Sequence, residues 1–94
     1  MSSSSVILKA KRTPIGSFLG NLSSFSASDL ASFVIQDILK DKRLKAGQIN
    51  EIILGNVLSA GQGQAPARQA ALKGGCVNST EALTINKMCG SGLK

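Results

Sequence analysis

Apolar residues fall in short blocks parted by glycine, serine and proline, and their spacing switches between strand-like runs and helical recurrence. Val6-Ile7-Leu8 is a short, partly β-branched run that reads as a buried strand. Arg12-Thr13-Pro14-Ile15-Gly16 breaks it, and Gly16, Gly20, Asn21 and several serines carry a loop to about Ser26. A helix is expected to start at Ser26–Ser28, where serines offer N-caps and Asp29 stands in the first turn. Leu30, Phe33, Val34 and Ile38 recur on one face of it at helical spacing. Lys40, Lys42, Arg43 and Lys45 crowd its C-terminal end, with Gly47 as the expected stop. Residues 51–57 read as a second strand. Pro66 suits the first position of a second helix, which Gly74 and Gly75 end. Ala82-Leu83-Thr84-Ile85-Asn86 is a third strand, and Gly90-Ser91-Gly92 is expected to turn into a helix. That order predicts an α/β fold, a mainly parallel βαβαβ sheet with flanking helices.

Composition sharpens this picture in a few places. With 94 residues the chain is one domain at most, and a chain of this size buries only roughly 60–65% of its unfolded surface. A hydrophobic content of 43% is that of a globular protein, and three Phe with no Trp or Tyr mean an aliphatic core. The net charge of +6 comes from scattered lysines and arginines with no stacking aromatics among them, which argues against a nucleic-acid binder. It is compatible with an acidic small-molecule partner. No apolar run approaches the roughly 18 residues of a membrane span. The opening Met1-Ser2-Ser3-Ser4-Ser5 lacks a secretory pattern, so a cytoplasmic protein with reduced thiols is expected. Cys76 and Cys89 lack metal-ligand spacing and the chain has no histidine, so no metal site is expected. Gly61-Gln62-Gly63 lacks the third glycine of a dinucleotide fingerprint, Pro66 standing there instead.

Cys89 carries the chemistry. It follows a strand and precedes Gly90-Ser91-Gly92, where a nucleophile is exposed at a strand's end and meets the positive end of a helix. Backbone N–H groups at such a helix start favour a thiolate and can serve as donors to an oxyanion forming on an attacked thioester. Glycines at 90 and 92 would permit the sharp turn and let a substrate approach the backbone. On spacing alone, a small buried cysteine packed in an α/β turn explains the segment equally well.

Asn86-Lys87-Met88-Cys89-Gly90-Ser91-Gly92-Leu93-Lys94 resembles the N-terminal active-site signature of the thiolases. Arg12-Thr13-Pro14-Ile15-Gly16-Ser17-Phe18 is similar to that family's opening motif, closest to the acetoacetyl-CoA thiolases. Gly55-Asn56-Val57-Leu58 and the run Gly61–Leu72 are similar to the thiolase segment leading into the second helix. The resemblance covers nearly the whole chain, in order. It implies that residues 1–94 are an incomplete N-terminal thiolase domain, cut at the start of the nucleophile helix. It also implies acetyl-CoA C-acetyltransferase chemistry with no permanent cofactor: Cys89 takes an acetyl group from acetyl-CoA, and a second acetyl-CoA is condensed onto it to give acetoacetyl-CoA, or the reverse. Homo-oligomers, dimers or tetramers, are implied as well. Asn86, Gly90, Ser91 and Gly92 would shape the nucleophile's turn, while Gln64 and Arg68 would lie near an interface or support the site. Cys76 is expected to be structural.

The family's catalytic histidine and second cysteine have no counterpart here, so the 94 residues alone are expected to be inert. A ketoacyl synthase or hydroxymethylglutaryl-CoA synthase is the rival among condensing enzymes. A non-catalytic module that binds a full-length subunit is the rival of another class.

Overall fold

The computed structural model describes residues 4–94. The opening Met1-Ser2-Ser3, part of the segment read above as lacking a secretory pattern, lies outside the described residues. Helix α1 spans Ala27–Leu39, strand β1 Glu51–Gly55, helix α2 Pro66–Lys73 and strand β2 Glu81–Ile85. Short 3-10 turns occupy Ala46–Gln48 and Ser91–Leu93. β1 and β2 pair in parallel, with Ile53 opposite Leu83 and Gly55 opposite Ile85. β1, α2 and β2 thus form one βαβ unit, which α1 covers by packing on α2.

Local chemistry explains where the helices begin and end. Ser26 caps α1 through a reciprocal box: its hydroxyl accepts from the Asp29 N–H at 3.1 Å, and its own N–H donates to the Asp29 carboxylate at 3.1 Å. α2 starts on Pro66, whose missing N–H is no loss at that position. It ends in a Schellman motif. The Cys76 N–H reaches the Ala71 carbonyl and the Gly75 N–H the Leu72 carbonyl, with Gly75 at a left-handed φ of +102°.

The core is small. Ile35, Ala70, Ala71 and Cys76 form its centre, and Ala31, Leu39, Ile49, Ile52 and Leu54 pack around them. α1 therefore buries Ser28, Ser32 and Ile35, and not the expected stripe of Leu30, Phe33, Val34 and Ile38. Small residues win that face because they let two backbones approach. A Cβ placed on Gly74 would lie 2.5 Å from Ile35 Cγ2, so only glycine fits at the crossing. The Ser32 hydroxyl is satisfied locally, donating to the Asp29 carbonyl at 2.6 Å. Leu30, Phe33 and Val34 line an open hollow of about 280 Å³ beneath Arg12 and Pro14.

Three expectations at the element level are corrected. Val6-Ile7-Leu8 forms no strand and is exposed, Ile7 at 89%. A strand requires a partner edge, and this stretch instead follows α1, held by Lys9–Asp41 at 3.4 Å and Lys11–Asp37 at 3.1 Å. The sheet thus has two strands among the described residues. Gly47 does not stop α1. The helix ends at Leu39 with Lys40 as its cap, and Asp41 then folds back onto Arg43, accepting from its backbone N–H at 2.9 Å. The strand read over residues 51–57 ends at Gly55, and Gly90-Ser91-Gly92 turns into a 3-10 turn over Ser91–Leu93.

Candidate active site

The parallel pairing of β1 and β2 brings both carboxyl ends to one edge, the side of an open α/β sheet where ligands bind. Asn56 leaves β1 there, and its N–H donates to the Ile85 carbonyl at 2.9 Å. Residues 86–94 leave β2 at the same edge. Cys89 is exposed on that turn, whereas Cys76 is buried in the core, where desolvation raises its thiol pKa. The two cysteines are separated by environment as the sequence suggests, one accessible and one packed.

The backbone just before Cys89 is strained. Met88 sits at φ +50°, a left-handed conformation costing a non-glycine residue about 1–2 kcal/mol. Hydrogen bonds on both sides of it hold it there. The Met88 N–H donates to Asn86 Oδ1 at 3.0 Å. Its carbonyl accepts from Ser91 Oγ at 2.8 Å and from the Ser91 N–H at 3.1 Å. Ser91 Oγ also accepts from the Lys87 N–H at 2.8 Å. Asn86 Nδ2 reaches back to the Val57 carbonyl at 3.4 Å, joining the turn to the segment after β1.

Ser91 is buried and rests against Gly55, the last residue of β1. A Cβ on Gly55 would come within 2.7 Å of Ser91 Cβ. Gly55 is therefore the floor of the turn. That role escapes the sequence analysis, although a glycine closing a strand run is the signal for such a close approach. The two glycines expected to make the turn sharp do so differently. Gly90 has φ −91° and ψ 5°, a conformation open to other residues, and a Cβ on Gly92 would meet nothing within 4 Å. The left-handed position is Met88.

The N–H groups of Gly90 and Ser91 close the turn on the Lys87 and Met88 carbonyls. Cys89 lies between them, bridged through its backbone to Lys87.

Gln64 and Arg68 stand elsewhere. Gln64 is exposed in the loop before α2, and its carbonyl accepts from Gln69 Nε2 at 2.7 Å. Arg68 clamps the entry to β2, its guanidinium donating to the Thr80 carbonyl at 2.8 Å and to the Asn78 carbonyl at 2.9 Å. That is the opposite end of β2 from Cys89, so Arg68 anchors the strand and does not reach the turn. Gln69, unremarked in the sequence, organises the preceding loop by donating to the Gln62 and Gln64 carbonyls while its Oε1 accepts from Ser28. No group of histidine, cysteine and carboxylate side chains suited to a metal occurs among the described residues.

The family model described as the N-terminal domain of the thiolases matches residues 5–94. The chain belongs to the thiolase family. An acetyl-CoA acetyltransferase of Pseudomonas aeruginosa is 53% identical over 89 residues, an overlap of 95% of this chain and 23% of that enzyme. A thiolase from Ascaris suum, whose crystal structure holds coenzyme A, superposes with a TM-score of 0.80 at 46% identity. That overlap covers 85% of this chain and 21% of the Ascaris protein. The chain thus spans under a quarter of the length of these relatives.

Proposed function

We propose that the protein is a thiolase-type acyltransferase of the acetyl-CoA C-acetyltransferase class, with Cys89 as its acyl-carrying nucleophile. One observation carries this reading: the exposed thiol sits on a strained turn, braced by the hydrogen bonds of Asn86 and Ser91, at the carboxyl edge of the sheet. The names of the relatives and the coenzyme A in the Ascaris structure support a coenzyme A thioester as substrate.

In the proposed chemistry the Cys89 thiolate attacks the acetyl-CoA carbonyl. The developing oxyanion is met by the Cys89 N–H, and coenzyme A leaves as its thiolate. Asn86 and Ser91 contribute by fixing the Met88 peptide, so the sulfur does not have to be ordered when substrate arrives. Gly55 contributes by leaving room for Ser91. Coenzyme A thioesters act as substrates here and no resident cofactor is invoked. These 94 residues contribute the acyl-carrying cysteine, and they contain no histidine to activate it.

Mass spectrometry of the protein after incubation with acetyl-CoA tests this directly. One acetyl group is expected, mapped to Cys89, labile to neutral hydroxylamine and absent in Cys89→Ala. A hydroxylamine-labile acetyl group that maps elsewhere, or that survives the substitution, overturns the reading.

A further inference from the structure

The turn that presents Cys89 also presents an amine. Lys87 and Cys89 are separated by one residue, and both are exposed. The Lys87 backbone is fixed on both sides: its N–H donates to Ser91 Oγ at 2.8 Å and its carbonyl accepts from the Gly90 N–H at 3.0 Å. Its side chain does not run straight out to solvent. Cδ and Cγ pass 3.9 and 4.0 Å from where a Cβ on Gly90 would stand, so the stem folds over the residue that follows the nucleophile. A glycine at 90 leaves that path open. Among the described residues Lys87 takes part in no ion pair, while Asp29, Asp37 and Asp41 are engaged by Lys73, Lys11, Lys9 and Arg43.

An amine two residues from a thioester on the same turn is an intramolecular nucleophile, and such tethering replaces a dilute bimolecular encounter by a higher effective concentration. We propose that Lys87 is a self-acylation site, receiving the acyl group from Cys89 by S-to-N transfer. The inference rests on the acyl-Cys89 reading above. The neutral Lys87 Nζ adds to the thioester carbonyl and a C–N bond forms. The C–S bond then breaks, sulfur leaves as the Cys89 thiolate, and the nitrogen gives one proton to solvent. Thioester and amine become amide, thiolate and a proton, with no oxidant or further reactant. The amide cannot return its acyl group to coenzyme A at a comparable rate, because an amine is a far poorer leaving group than a thiolate. The product is an uncharged amide, which can no longer carry a proton beside the nucleophile, on a side chain folded over Gly90. Its consequence is a slow loss of activity with time spent in the acylated state.

The protein is incubated with acetyl-CoA, treated with neutral hydroxylamine to strip thioesters, and mapped by peptide mass spectrometry. The exposed Lys42 and Lys45 serve as internal references for direct acetylation from solution. Hydroxylamine-stable acetyl on Lys87 is expected to exceed that on Lys42 and Lys45, and to fall at least about tenfold in Cys89→Ala, with the reference lysines unchanged. Lys87→Arg is expected to abolish the stable acetyl near the turn while the labile acetyl on Cys89 persists. A labile acetyl on Cys89, with Lys87 acetylated no more than the references, overturns this inference and leaves the functional reading standing. Absence of any labile acetyl on Cys89 overturns both.

Discussion

At the scale of single residues, the nucleophile's placement depends on side chains that do no chemistry. Met88 holds a left-handed φ because Asn86 and Ser91 bond to the two faces of its peptide, and Ser91 can sit there because Gly55 has no side chain. Gly55→Ala puts a methyl group 2.7 Å from Ser91 Cβ, and backbone, not a flexible side chain, lies behind it. The turn must shift. Overpacking of this kind costs about 1–3 kcal/mol, and a displacement of about 1 Å at a reacting atom can lower a rate about 100-fold. The expected result is near-native circular dichroism with acetylation of Cys89 from acetyl-CoA slowed about 100-fold by quenched-flow mass analysis. Gly92→Ala supplies the contrast. Its new Cβ meets nothing within 4 Å, so its stability should stay within about 0.5 kcal/mol of the parent. Equal effects of the two substitutions would show that the turn is not braced by Gly55. The residue pattern placed Cys89 on a turn after a β-like run, where the structure has it exposed, although spacing alone fitted a packed cysteine equally well. It misplaced the strain, because glycines advertise left-handed φ while Met88 acquires it only through its neighbours' hydrogen bonds.

At the scale of elements, helix ends were easier to read than helix faces. Ser26 with Asp29, Pro66, and Gly74-Gly75 are local signals, each acting through a bond or a missing donor within a few residues. A buried face depends on a distant partner. Leu30, Phe33 and Val34 are the more apolar stripe of α1, yet Ser28, Ser32 and Ile35 are buried because α2 offers Ala67, Ala70, Ala71 and Gly74. Two small-residue faces bring the axes close, and the bulky stripe is left lining the hollow under Arg12. The same non-local requirement explains Val6-Ile7-Leu8, whose composition suits a strand but which has no edge to join among the described residues. Gly74→Ala tests the crossing. The added Cβ would stand 2.5 and 2.6 Å from Ile35 Cγ2 and Cβ, so α1 must move away from α2. A loss of about 1–3 kcal/mol is expected, seen as a lower urea midpoint with an unchanged slope. A neutral or stabilising result would mean that the helices cross further apart than this.

At the scale of the whole molecule, the core is too small and the charge too one-sided for stability to be indifferent to pH. Four positions centre the core, and the outer face of the two-stranded sheet leaves Ile53 and Leu83 half exposed, opposite one another. Parallel strands are ordinarily covered on both faces, so the face bearing Ile53 and Leu83 contributes little hydrophobic stabilisation. Electrostatics at the edges therefore matters more than usual. The Lys73 ammonium lowers the Asp29 pKa, Lys11 lowers that of Asp37, and the Arg43 guanidinium holds Asp41 well below the ordinary carboxylate range. These pairs tie α1 to α2, and α1 to the segment before it. A carboxylate whose folded pKa lies below its unfolded value of 3.8 stabilises the fold above that value. The contribution is lost as pH falls through the lower folded value. Protonating all five carboxylates would also raise the side-chain net charge from +6 to +11, that is 6 plus 5, adding self-repulsion to the same transition. Thermal melts should hold steady from about pH 7 to about pH 5 and then fall steeply below about pH 4. Asp37→Asn and Asp41→Asn should each lower the melting temperature at neutral pH, and the effect should shrink as acid protonates the parent carboxylate, persisting furthest into acid for Asp41, which Arg43 keeps ionised longest. Because the Asp37 carboxylate is half exposed whereas the Asp41 side chain is only 10% exposed, added salt should weaken the neutral-pH effect of Asp37→Asn more than that of Asp41→Asn. A melting temperature independent of pH down to about 2 would show that these ion pairs form no more strongly in the folded chain than in the unfolded one.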